Sequence, residues 1–160
     1  MAQARQRKTR RYGTRRSGFR KREVLDDKFS EARLDHFRMM VIRGDYEHVF
    51  WHIKSESRDN LEYLERLLED DGVGVAPNAA EILEVLARRK VDIGRSAGAL
   101  EKALENPYAR ACAARALAAH HLKQVNIRKL EALLKHKDPV IKQAADAVVS
   151  EERSQESGKD

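Results

Sequence analysis

Ten arginine or lysine side chains crowd the first 22 positions of this chain, and no acidic residue interrupts them. They are Arg5, Arg7, Lys8, Arg10, Arg11, Arg15, Arg16, Arg20, Lys21 and Arg22, interleaved with the rings of Tyr12 and Phe19. The chemistry open to such residues is anion recognition. Guanidinium presents a planar fork of donors that matches phosphate, and aromatic rings stack on exposed bases. Each phosphate neutralised by such a group contributes a salt-dependence slope of roughly 0.7 to 0.9. Gly13, Ser17 and Gly18 keep the backbone supple, which favours threading into an irregular RNA surface or a groove over docking as a rigid helix, and a flexible, aromatic-containing arm not built as a helical basic region makes RNA slightly preferred to DNA. An acidic protein surface would be drawn by the same field, and a targeting or solubilising tail has the same composition.

A second constellation is catalytic in type. His48 and His52 are four residues apart and share one face of a helix, with Asp45 one turn earlier and Glu47 beside them. Two imidazoles at that spacing can ligate a metal, but a site needs a third ligand and a supporting shell. Val49 stands where a zinc-protease helix carries its glutamate base. These histidines are therefore expected to be ordinary residues of an amphipathic helix, and His120, His121 and His136 to be helix-end or surface groups. Cys112 lies in an alanine-rich helix and is expected to be a small core hydrophobe, its thiol activated by Arg110 and Arg115 only if exposed. No phosphate-cradling glycine loop and no nucleophile elbow occurs in the chain. The expectation is a protein that is not an enzyme, with no cofactor and no metal.

The rest of the chain must position these groups. Of 32 basic and 26 acidic residues, ten basic ones lie in the arm, leaving 22 against 26, or about −4, for residues 23–160. The basicity belongs to the tail. A segment so charged and so poor in apolar groups cannot collapse on itself, so residues 1–22 are expected to be disordered or ordered by a partner. A length of 160 residues suits one domain. The single Cys112 excludes an internal disulfide, and no run approaches the roughly 18 apolar residues of a membrane span. An intracellular protein, cytoplasmic or in another nucleoprotein compartment, is expected.

Helical periodicity governs the body. Phe29, Leu34, Phe37, Met40 and Val41 form one stripe, closed by Gly44, with Asp45 placed to cap the next segment, whose stripe is Tyr46, Val49, Phe50 and Ile53. Asp59 with Glu62 resembles a capping box ahead of Leu61, Leu64, Leu67 and Leu68. Residues 71–77 form a loop by composition, and Asn78 with Glu81 predicts a cap before Ile82, Val85 and Leu86. Further helices are predicted around Leu100 and Leu104, from Pro107 through Ala118, over 127–134, and from Pro139 through Val148, with a flexible polar tail over 151–160.

Two stretches superpose at an offset of 32 residues: Asn106, Pro107, Arg110, Ala113, Ala114 and Leu117 match Asp138, Pro139, Lys142, Ala145, Asp146 and Val149. An Asp-Pro start, a basic residue three positions later, an alanine-rich helix and a leucine-rich companion resemble the short form of the HEAT-like, armadillo-type helical repeat. The likeness covers residues 97–150 and extends more weakly over 45–96, and the turn His120, His121, Leu122, Lys123 departs from the usual glycine-containing form. It implies an all-α fold, antiparallel hairpins stacked as a short solenoid over residues 23–150, in which Arg110 and Lys142 reach across repeats to acidic groups.

Together these features predict a non-catalytic scaffold or adaptor, with the arm on RNA or DNA and the helical body on a protein partner, and no membrane association. Two alternatives stay open: a HEAT-like protein adaptor whose arm binds an acidic surface or serves targeting, and a metal-dependent or DNA-base-directed enzyme. Body cations Arg88, Arg89, Lys90, Arg95, Lys123, Arg128, Lys129, Lys135, Lys137 and Lys142 would extend the arm's footprint. The acidic residues Glu62, Glu65, Glu69, Asp70 and Asp71 would repel phosphate and leave that face to a protein.

Overall fold

The computed structural model describes residues 19–56 and 58–157, with side chains for 31–55 and 59–157. The chain divides into two units, Met1–Arg33 and Leu34–Asp160. What is described of the first unit is the N-terminal part of α1 (Phe19–Arg43), so this helix begins within the basic segment.

The second unit is all-helical, without a strand among the described residues. Following the last turns of α1 come α2 (Tyr46–Trp51), α3 (Leu61–Leu67), α4 (Val75–Arg88), α5 (Ala97–Ala103), α6 (Arg110–Lys123), α7 (Ile127–Leu134) and α8 (Pro139–Ser157). A π-type turn over His52–Glu56 extends α2, and tight turns over Arg58–Asn60 and Gly94–Ser96 introduce α3 and α5.

Helix α6 is the hub, packing against α4, α5, α7 and α8. Its sequence explains why. Ala113, Ala114, Ala116, Ala118 and Ala119 are all buried, and they point around the whole helix and not along one stripe, the pattern of a helix covered on every side. Methyl side chains let neighbouring helices approach closely. The bulk is supplied from outside by Ile82, Leu83 and Leu86 of α4, Leu100 of α5, Leu133 of α7, and Ile141 and Val148 of α8. At the other end of the unit Phe37, Val41, Val49, Ile53, Leu61 and Leu64 continue the same core.

Three helices end on a left-handed residue. Gly44 (φ +69°) closes α1, with Asp45 N–H donating to Met40 O at 2.9 Å. Lys90 (φ +61°) closes α4, with Val91 N–H on Leu86 O at 2.9 Å, and Val125 (φ +53°) closes α6, with Asn126 N–H on His121 O at 2.8 Å. All three follow the six-to-one pattern that satisfies an orphan carbonyl.

Several predicted boundaries shift. Helix α4 starts at Val75 behind Gly74 (φ +79°), so Pro77 lies in the first turn, where its missing N–H has no intrahelical partner to lose. Asn78 is consequently inside α4, and its side-chain amide donates to Val41 O at 3.2 Å. The N-cap of α3 is Asn60, not Asp59, whose carboxylate meets Arg95 at 3.2 Å. Helix α8 continues past Ser150 to Ser157, because Glu151 and Glu152 engage cations of α4 and α6.

The offset of 32 residues reappears in the hydrogen bonding. Asn106 Oδ1 accepts from Tyr108 N–H at 2.9 Å and Asp138 Oδ1 from Val140 N–H at 2.8 Å. The carbonyls of the same two residues accept from Arg110 N–H at 2.9 Å and Lys142 N–H at 3.1 Å. Both segments thus begin with the same side-chain-closed turn, although regular helix sets in at Pro139 in one and only at Arg110 in the other.

Candidate functional site

The predicted anion-binding residues fall at the start of the chain. Arg5, Arg7, Lys8, Arg10, Arg11, Tyr12, Arg15 and Arg16 lie outside the described residues. Phe19, Arg20, Lys21 and Arg22 are on the first turn of α1, with side chains likewise outside the description.

The body cations are described, and most are engaged. At the centre is Glu84 of α4, its side chain only 8 % exposed. Its two oxygens accept from Arg115 Nε and Nη2, both at 2.9 Å, in a two-pronged pair from α6, and from Arg88 Nε at 2.8 Å. Glu151 of α8 closes the ring, 2.6 Å from Arg88 Nη2 and 3.1 Å from Arg115 Nη2. Glu152 adds Lys123 at 3.0 Å. The Glu84 carboxylate raises the Arg115 pKa further. Burial works to raise that of Glu151, but Arg88 and Arg115 outweigh it and hold it low. Three helices are thereby tied by charges that cancel locally.

The pattern continues across the surface. Arg89 pairs with Glu47 at 2.9 Å and lies over the Phe50 ring. Arg95 takes Asp59 and Glu65, Lys102 takes Glu69 at 2.7 Å, Lys129 takes Glu101 at 3.2 Å, and Lys135 takes Glu131 at 3.0 Å. Arg110 reaches Asp138 at 2.6 Å, whereas Lys142 makes no ion pair among the described residues. Of the ten cations expected to widen the arm's footprint, Lys90, Arg128, Lys137 and Lys142 are without an ion pair among the described residues. The anticipated acidic face is also largely neutralised: Glu62 holds Arg66, Glu65 holds Arg95, Glu69 holds Lys102 and Asp70 holds Arg38.

The histidine pair does not converge. His48 is exposed and bonded to Asp45 at 2.7 Å, and this bond keeps the Asp45 carboxyl below its ordinary range. His52 is half-buried among the rings of His36, Phe37 and Trp51. Among the described residues no group of three or more His, Cys, Asp or Glu side chains is placed to hold a metal ion. Cys112 is half-buried, and its thiol pKa is raised by burial and by the carboxylates of Glu81 and Glu84. Tyr46 donates to Glu81 at 3.0 Å; burial and this carboxylate push its phenol up to about 12.

His120 and His121 correct the sequence expectation. They are core residues, 9 % and 4 % exposed, with rings 5.3 Å apart. Burial, then the neighbouring His120 and Lys129, bring His121 down to about 4, and burial lowers His120 as well despite Asp92. The signal was present: the pair follows Ala113 and Ala114 by seven residues and Leu117 by three and four, which places both on buried positions of the helix.

No helix among the described residues is long and apolar enough to cross a membrane. No family model matches this chain, and no curated protein and no solved structure is significantly similar to it.

Proposed function

We propose that this chain is a non-catalytic, nucleic-acid-associated adaptor: the Arg-rich arm grips a phosphate backbone, RNA in preference to DNA, and the helical body docks a protein partner. The observation that carries this reading is the charge partition. Within the body Arg38, Arg88, Arg89, Arg95, Arg110, Arg115, Lys102, Lys123, Lys129 and Lys135 each face a carboxylate at 3.3 Å or less. Cations already matched in this way have little net attraction left for a polyanion, so capture falls chiefly to the ten basic residues of positions 1–22, with Lys90, Arg128, Lys137 and Lys142 of the body left to add to it.

The body is, on this reading, a short HEAT-like stack. Support comes from the duplicated turns at Asn106 and Asp138 and from the Arg110–Asp138 link between them. The competing reading, a protein adaptor whose arm meets an acidic protein surface, draws on Met39, Ile42 and Trp51, large apolar side chains that are 45 %, 48 % and 54 % exposed.

Fluorescence anisotropy separates the two. The full chain and a variant with Arg10, Arg11, Arg15 and Arg16 changed to Gln are titrated with single-stranded RNA, duplex DNA and heparin over a salt series. Loss of four phosphate contacts should flatten the single-strand slope by about 2.8 at most. An unchanged slope sinks the anchor. Equal loss towards all three polymers removes the preference for RNA.

A further inference from the structure

We propose that the groove between α7 and the C-terminal half of α8 is a self-association surface, covered by the same face of a second copy of this chain. The two copies are related by a two-fold axis that sets Arg153 of each against the partner's Glu156.

The groove has a volume of about 420 Å³. Its apolar lining comes from Leu122, Val125, Ile127, Leu130, Leu134 and Val149. Of this lining, Ile127 is 61 % exposed.

Val125 points independently to an occupant. Its φ of +53° is a left-handed conformation that a β-branched residue adopts only under strain. The corresponding position after α1 is Gly44, and after α4 it is the unbranched Lys90. Yet Val125 is 75 % exposed, so no packing among the described residues accounts for a valine there. A strained residue that presents an apolar side chain to solvent is accounted for when that side chain is buried by a partner.

The charges around the groove select which partner. Lys123 is engaged with Glu152 at 3.0 Å, and Glu131 with Lys135 at 3.0 Å. Arg153 and Glu156 also line the groove, and neither has an ion-pair partner among the described residues. They are opposite in sign and one turn apart on α8. A basic segment in the groove would meet Arg153 with like charge, and an acidic one would meet Glu156 likewise. A two-fold arrangement satisfies both, because residue i meets j while j meets i.

Sedimentation of the full-length protein over a concentration series, at fixed physiological salt, tests this directly. The wild type should dimerise reversibly. Arg153→Glu and Glu156→Arg should each weaken association about tenfold or more, since each places like charges opposite one another. An equimolar mixture of the two variants should associate again, as should the double swap R153E/E156R. Val125→Asn should raise the melting temperature of the monomer while weakening the dimer, because asparagine tolerates the left-handed conformation. A protein that stays monomeric throughout, single reversals that associate like wild type, or a mixture that stays apart overturns the proposal. A Val125→Asn variant that melts earlier, or that associates unchanged, overturns the role given to Val125.

Discussion

Replacing Arg115 by methionine removes the α6 contribution to the ring of charges that joins α4, α6 and α8. Two charge-assisted bonds to Glu84 at 2.9 Å disappear, together with the contacts to Glu151. Net values of about 1.5–3 kcal/mol apply to such bonds, and stripping a buried ion of its only partner costs about 3–5 kcal/mol. Glu84 retains Arg88 Nε at 2.8 Å, and the Glu151 side chain is 44 % exposed, so water replaces much of what is lost there. The expected destabilisation of Arg115→Met is therefore about 2–3 kcal/mol. At about 3–4 °C per kcal/mol this is a drop in Tm of roughly 6–12 °C. Urea unfolding of Arg115→Met, Glu84→Leu and the double variant provides the test. With both charges replaced by apolar groups of similar length, no buried charge is left without its partner, so the double variant should be more stable than the sum of the singles predicts by at least about 1 kcal/mol. An Arg115→Met variant within about 0.5 kcal/mol of wild type, or strictly additive singles, would refute the argument that this ring clamps the three helices.

Three further outcomes follow from the geometry. His121 has a folded pKa of about 4, below its ordinary value near 6.5. The unfolded chain therefore binds the proton first, so the stability due to the neutral ring is full above pH 6.5 and is lost as the pH falls towards 4. His121→Leu should flatten the urea midpoint across that window. A Cβ at Gly72 would lie 2.7 Å from Asp70 Oδ1 and 3.0 Å from Arg38 Nη2, so Gly72→Ala should destabilise by about 1–2 kcal/mol through the bonds of Asp70. Gly98→Ala is the control: its Cβ meets nothing within 4 Å, and it should stabilise α5 by about 0.5–1 kcal/mol in the same denaturant series. Cys112 should react with iodoacetamide at pH 7.5 more slowly than a free cysteine and match it only once the chain is unfolded, a comparison that mass spectrometry reads directly.

Where local spacing decides the outcome, the sequence was legible. The stripes at Phe37, Val41, Val49 and Ile53, and at Leu61, Leu64 and Leu67, are buried as their period predicts. Asp138 and Pro139 start α8 as expected, because a turn closed by its own side chain is a local event. Positions where a local signal competed with a distant partner were misjudged. Asp45 takes the N-cap position of α2, but its carboxylate bonds His48 and not a backbone N–H. Asn78 looked like a cap and instead bridges to Val41, 37 residues away. The charge pattern was the least legible feature, since the partners Arg88 and Glu151 are 63 positions apart. A tail that looked solvated by composition is helical as far as Ser157 once α4 and α6 present their guanidiniums to it. Of the arm, the described residues include only the first turn of α1.

Helix α6 sets how this unit opens as well as how it packs. A segment enclosed by α4, α5, α7 and α8 has no outward edge from which to fray. Its amide protons cannot reach water through small local fluctuations, so they exchange only when the surrounding helices separate. Hydrogen exchange along Ala113 to Ala119 should therefore report the global unfolding free energy, while α7, with only Leu133 fully buried, exchanges through smaller openings. The alanines that make α6 chemically plain thus make it the slowest clock in the protein.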